Sequence, residues 1–228
     1  MLYIKCEGGG KVYTADLKSA DFGHTGSSPV PRTIFIERKI MPAVWLTSDT
    51  HFGHLGVCKF MRNDGITKLR PWDTAEEMDE AMVKSWNERV KPNDKCYHLG
   101  DAVINRRALP TLARLNGDKV LIRGNHDIFR DTEYREYFRE LRAYHVMNGL
   151  ILSHIPLHPD SLGRFGCNIH GHTHSNRVMK DGVIDVRYHA VCVEQTDFAP
   201  ILFEDVLKRI TAEGGVVGFK NGNFSTVD

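Results

Sequence analysis

The stretch Ala43-Val44-Trp45-Leu46-Thr47-Ser48-Asp49-Thr50-His51 decides how this chain is read. An apolar run of β-type residues stops at an acid and an imidazole. That reads as a short buried strand with candidate metal ligands at its end. The arrangement recurs along the chain. Lys95-Cys96-Tyr97-His98-Leu99 leads to Gly100-Asp101, and Lys119-Val120-Leu121-Ile122-Arg123 leads to Gly124-Asn125-His126-Asp127. Leu150-Ile151-Leu152-Ser153 leads to His154, and Cys167-Asn168-Ile169-His170 leads to Gly171-His172-Thr173-His174. In an open α/β sheet, side chains from separate segments meet at the carboxyl ends of the strands. An Asp, Asn and His set of this size suits two divalent metals, because a shared carboxylate can bridge them.

The intervening segments read as helices and turns. Thr74-Ala75-Glu76-Glu77 is a capping box, followed by Met78, Ala81, Met82, Ser85 and Trp86 at helical spacing and ended by Lys91-Pro92. Helices are also expected from His54 to Met61, with Leu55, Val57, Cys58 and Phe60 as its apolar residues, and from Arg106 to Leu115 despite Pro110. Two more are expected over Thr132 to Phe138 and Phe203 to Ile210. Leu141 to Val146 and Leu150 to Ser153 read as a hairpin around Asn148-Gly149, and Val183 to Val186 as a further strand. This alternation gives an α/β fold with a largely parallel sheet.

The chain has 228 residues, of which 41% are hydrophobic and 26% charged, enough for one domain with its own core. A formal net charge of +1 gives no global steering toward nucleic acid or membrane. Cys6, Cys58, Cys96, Cys167 and Cys192 are scattered without a Cys-x-x-Cys pair, which reads as reduced thiols in a cytoplasmic protein. No apolar run is long enough to span a bilayer.

Residues 1–40 do not follow this pattern. Gly8-Gly9-Gly10, Gly23, Gly26, Ser27-Ser28, Pro29 and Pro31 break any period, so a poorly structured extension is expected there, with a single domain over 41–228. The codons this segment permits add a second expectation. Ala15 to Ala20 can be encoded by a string that folds as an anticodon arm with a serine-type TGA anticodon. Asp21 to His24 then permits a variable arm and Thr25 to Val30 a T arm, in the order of a serine tRNA. Met41 is accordingly expected to be the true start, with residues up to about Thr33 the translation of a tRNA gene. The nucleotide sequence upstream of Met41 tests this: codons that cannot form the three paired arms would end it.

The motif order D-x-H, G-D, G-N-H-D, H and G-H-x-H, from Asp49 to His174, resembles the calcineurin-like metallophosphoesterases. Thr47-Ser48-Asp49-Thr50-His51-Phe52-Gly53-His54 and Glu76-Glu77-Met78-Asp79 resemble the small phage and bacterial members, and the likeness extends from about Val44 to Asp205. The resemblance implies two stacked mixed β-sheets flanked by helices, with two divalent metals at one edge. Asp49, His51 and His174 would hold the first metal, Asn125, His154 and His172 the second, with Asp101 as the bridge. A hydroxide between the metals would attack the phosphorus, and His126 would donate a proton to the leaving oxygen. Manganese is the expected activating metal in vitro; iron, zinc and nickel suit the same ligands. The Asp49/His51 and His172/His174 spacings are those of extended segments, whose alternate residues point one way.

Taken singly, Asp49 or Asp101 would read as a turn or cap residue, and His154 as a packed or solvated histidine. His54 and His98 could support the site or simply pack; Asp127 could orient His126 or cap its turn. Arg62, Arg70, Arg164, Arg177, Asn168 and Ser175 are open candidates for substrate contact. Ile104 stands where phosphoprotein phosphatases of this superfamily carry a second acid, which counts against a protein phosphatase. The expected activity is hydrolysis of a small phosphodiester or nucleotide-like ester. The alternatives are a nuclease, which the near-neutral charge does not favour, and a non-catalytic binding module, which the complete ligand set opposes. Oligomeric state is left open by the sequence.

Overall fold

The structure, a computed structural model, describes residues 41–219. The expectations for residues 1–40 lie outside the described residues. In chain order the elements are β1 (Val44–Thr47), α1 (Ala75–Arg89), β2 (Lys95–His98), β3 (Asp118–Ile122), α2 (Asp131–Tyr134), β4 (Glu140–Arg142) and β5 (His145–Met147). They continue with β6 (Leu150–Ser153), β7 (Asn168–His170), β8 (Met179–Lys180), β9 (Val183–Ile184), β10 (Tyr188–Ala190), β11 (Ile201–Leu202) and α3 (Phe203–Ala212).

Two mixed sheets carry the fold. One has the order β11-β1-β2-β3-β4, parallel except for β11; the other runs β10-β7-β6-β5, parallel except for β5. Strand alternation builds their cores. Leu46, Tyr97, Val120 and Ile122 of the first sheet pack with Leu150, Leu152 and Ile169 of the second. Their neighbours Cys96 and Leu121 turn the other way, onto Met78, Met82 and Trp86 of α1. The outer face of the second sheet is covered more thinly, by Ile151, Leu162 and Tyr188. This is the expected pair of stacked mixed sheets with flanking helices.

Helix α1 starts where the capping box places it. Thr74 Oγ1 accepts the Glu77 N–H at 3.1 Å, and Glu77 Oε2 accepts the Thr74 N–H at 3.3 Å. Other boundaries differ from expectation. Residues 54–61 make only a 3-10 turn, Leu55–Cys58. Val57 and Cys58 are buried there, whereas Leu55 and Phe60 are exposed. Arg106–Arg114 is 3-10 rather than α, consistent with Pro110 having no N–H to give. Helix α2 is a single turn. The run from Leu141 to Val146 is split: Glu140–Arg142 closes the edge of the first sheet, and only His145–Met147 forms the hairpin with β6. One extended run therefore serves both sheets. Val183–Ile184 pairs with β8 in an exposed ribbon apart from both sheets. Strands β10 and β11 have no counterpart among the elements expected from sequence.

Candidate metal centre

The ligand-bearing runs follow β1, β2, β3, β6 and β7, all at carboxyl ends. Short contacts knit these ends together. Asp49 N–H donates to Gly100 O at 2.9 Å and His51 N–H to Asp101 O at 3.0 Å. Gly171 N–H donates to His154 O at 2.9 Å, and His172 N–H to Asp49 Oδ2 at 2.9 Å. A Cβ on Gly171 would stand 2.0 Å from Ser48 Oγ, so only glycine lets the two sheets' loops approach. The same holds at Gly100, whose φ is +95° and whose Cβ would meet Gly124 N at 2.6 Å.

The backbone at the ligands is not extended. Asp49, His51, Asp101, His172 and His174 all have left-handed φ, between 50° and 68°. Both members of each paired spacing are thus left-handed, a correction to the extended reading. Such conformations cost on the order of 1–3 kcal/mol each for non-glycine residues and persist where surroundings over-determine them.

Two groups result. Asp49, His51 and His174 offer ligand atoms within 4.8 Å of one another, and so do Asp101, His154 and His172. Asp101 Oδ2 lies 3.7 Å from His51 Nε2 and 3.4 Å from His154 Nε2, between the groups. Asn125 joins the second group, its Oδ1 being 3.0 Å from His154 Nε2. His154 Nδ1 donates to Leu99 O at 2.8 Å, so the Nε2 of a neutral ring turns a bare lone pair toward Asn125 Oδ1 and Asp101 Oδ2. Acceptors facing one another this way need a proton or a metal between them. In the first group, Asp49 Oδ1 and both His51 ring nitrogens are buried without a hydrogen-bond partner. The donor set therefore fits two cations.

Charge states point the same way. Burial raises the Asp49 and Asp101 carboxyls, but His51 beside Asp49 and His154 beside Asp101 hold both below the usual carboxylate range. Burial keeps His51 neutral by lowering its pKa. For His154 and His174 burial also acts downward, yet Asp101 and Glu194 respectively raise them overall. Those carboxylates attract a proton where a metal would compete for the same ring.

His126 stands outside both groups. Its exposed ring lies edge-on to His51 at 5.6 Å, over the open side of the site. His54 is 5.6 Å from His51 on another side and packs against Phe60 at 6.0 Å; burial lowers its pKa to about 4. His98 is fully buried against Trp86 and holds Thr50 Oγ1 at 2.9 Å, so it supports the loop from behind. Asp127 does not reach the His126 ring. Its carboxylate accepts the N–H groups of Asp101 (2.8 Å), Ala102 (3.0 Å) and Gly124 (2.8 Å), pinning the second and third motif loops together.

Several substrate candidates are structural. Arg70 is fully buried and ion-paired to Glu194 at 2.7 Å. Arg177 pairs with Glu213, and Asn168 is buried between Ile151 O, Ser153 Oγ and the Leu157 N–H. Sequence reading missed Glu194. It lies in a 3-10 turn, Val193–Gln195, and its Oε1 accepts from His174 Nδ1 at 3.0 Å.

Comparison with known proteins gives the family. The family model described as calcineurin-like phosphoesterase matches residues 42–205, and the chain belongs to that family. An uncharacterised protein of Methanocaldococcus jannaschii, MJ1445, is 33% identical over 185 residues, covering 78% of this chain and 96% of its own length. The Gene 66 protein of Mycobacterium phage L5 is 34% identical over 92 residues, 38% of this chain and 41% of that protein. The crystal structure of AQ665 from Aquifex aeolicus, a protein of unknown function, is similar at TM-score 0.52 and 25% identity, covering 74% of this chain and all of that one. Among the described residues no helix is long and apolar enough to cross a membrane.

Proposed function

We propose that this chain is a dinuclear metal-dependent hydrolase of a small phosphodiester or nucleotide-like ester. One observation carries the reading: Asp101 Oδ2 stands between two ligand groups, 3.7 Å from His51 and 3.4 Å from His154. Asp49, His51 and His174 would hold one metal, Asn125, His154 and His172 the other, with Asp101 shared. Bound there, two divalent cations activate water and neutralise phosphoryl charge.

The chain's own residues do the rest. Carboxylates on separate loops are fixed by backbone N–H groups, so they need not reorganise as charge develops. Asp101 Oδ1 accepts the His126 N–H at 2.8 Å, which ties the position of the imidazole to the shared ligand. His126, exposed on the open side, can donate a proton to a leaving oxygen. Manganese is the metal of choice for reconstitution, with iron, zinc and nickel compatible.

The test is a screen of Mn²⁺-reconstituted protein against nitrophenyl mono- and diesters, cyclic nucleotides and single-stranded DNA. Turnover of a small diester above monoesters and DNA is the expected result. Preference for DNA would make the chain a nuclease. Metal uptake without turnover of any ester would leave a binding module.

A further inference from the structure

Behind the first ligand group sits a charge pair that touches every one of its members or their loop. Arg70 and Glu194 are both fully buried. Arg70 Nε and Nη2 approach Glu194 Oε1 at 2.9 Å and 2.7 Å. The same guanidinium donates to Thr50 O at 2.7 Å and to Asp49 O. Those two carbonyls belong to the turn that carries Asp49 and His51 in left-handed conformation. Glu194 Oε1 also accepts the His174 Nδ1–H at 3.0 Å. The next residue, Gln195, donates to His174 O at 2.6 Å. Among the described residues no buried ion pair stands behind the second ligand group, where a backbone carbonyl, Leu99 O, orients His154.

We infer that Arg70 and Glu194 are positioning residues for the metal held by Asp49, His51 and His174, an inference that rests on the metal-site reading above. Glu194 keeps the proton of His174 on Nδ1 and so presents Nε2 to the cation. A carboxylate behind a ligating imidazole also raises its basicity as a donor. Arg70 fixes the buried Glu194 carboxylate in place through Nε and Nη2. Its two hydrogen bonds to the Asp49 and Thr50 carbonyls hold the strained turn. Only a planar guanidinium can serve a carboxylate and two carbonyls in this way; an ammonium at Arg70 could not span them.

The experiment titrates Mn²⁺ calorimetrically into full-length chain, wild type and Glu194→Gln. Both are repeated in a His172→Ala background, which leaves the first site to be read alone. The expected result is two equivalents in the wild type. Glu194→Gln should weaken the first site 10–100-fold, the size of effect typical when a carboxylate behind a ligating histidine is removed, with the second site unchanged. Equal affinity for wild type and Glu194→Gln would overturn the inference while leaving the dinuclear reading intact. A wild type that takes up no Mn²⁺ would overturn both. Should Glu194→Gln fail to fold, the histidine ¹⁵N spectrum of the Zn²⁺-loaded wild type decides. A proton on His174 Nδ1 with Nε2 coordinated is expected, and coordination through Nδ1 would sink the assignment.

Discussion

The two ligand groups are built from similar donors and supported by different physics. Behind Asp49, His51 and His174 lies a buried ion pair, Arg70–Glu194, with Ser48 Oγ also donating to Asp49 Oδ2 at 2.5 Å. Behind Asp101, His154 and His172 lie neutral dipoles, Leu99 O and the N–H of His126, with the Asp127 carboxylate one layer further back. The first group is closed: Asp49 and His51 are buried and His174 is half-buried. The second opens outward at Asn125 and His172, both exposed. A buried charge is held by opposite charge, because unpaired it would be prohibitively costly. An open site can leave part of that work to water and ligand. The two groups therefore differ in burial as well as in what stands behind them.

Breaking the residue shared by both groups has the largest expected effect. Asp101→Ala should lose most bound metal and nearly all turnover, read by elemental analysis beside a diester assay. A variant that keeps both would show that the groups are independent. Next is His126→Ala, which touches neither group's ligand set. It should retain two metals while turnover falls about 10²–10⁴-fold. The loss should shrink for esters with very good leaving groups; equal loss for good and poor leaving groups would argue against proton donation.

Stability measurements sharpen the contrast between the supports. Arg70→Ala leaves Glu194 charged and buried without its partner, and a loss of about 3–5 kcal/mol is expected in chemical denaturation. Asp127→Ala leaves buried N–H groups of the second group's loops bare, at about 1–3 kcal/mol for each one that finds no water. A loss for Arg70→Ala no larger than about 1 kcal/mol, the size typical of an exposed pair, would show that burial adds nothing to the first support.

At neutral pH the smallest effect comes from the join between them, where it emerges as a pH dependence. His98 binds Thr50 Oγ1, whose O–H donates to Ala102 O at 2.8 Å, so it links the first loop to the second. Burial lowers its folded pKa from 6.5 to about 4. The folded state therefore refuses a proton that the unfolded chain accepts. Stability is complete above about pH 6.5 and declines as pH falls toward about 4, by at most about 1.4 kcal/mol per unit from this group. Denaturation of His98→Gln across that range should show a shallower slope; an unchanged slope would assign the effect to other groups.

Signals that are local along the chain are legible from the residues alone. The capping box of α1, the β-runs that lead into the motifs and the acid or imidazole at each of their ends are written within a few neighbouring residues, and these reappear in place. Features that depend on distance along the chain leave no such mark. Glu194 acts 124 residues from Arg70 and 20 from His174, in a 3-10 turn with no period to announce it. No neighbour in sequence distinguishes Arg70, which is fully buried, from a surface cation. Likewise, nothing local tells Glu140–Arg142 from His145–Met147, since an extended run does not declare which sheet it joins. Residue order was thus enough for the family, the layering and the side chains that converge. The left-handed backbone of those side chains and the charges standing behind one group emerge only in three dimensions. Backbone strain and buried charge are tolerated only by contacts that folding itself creates.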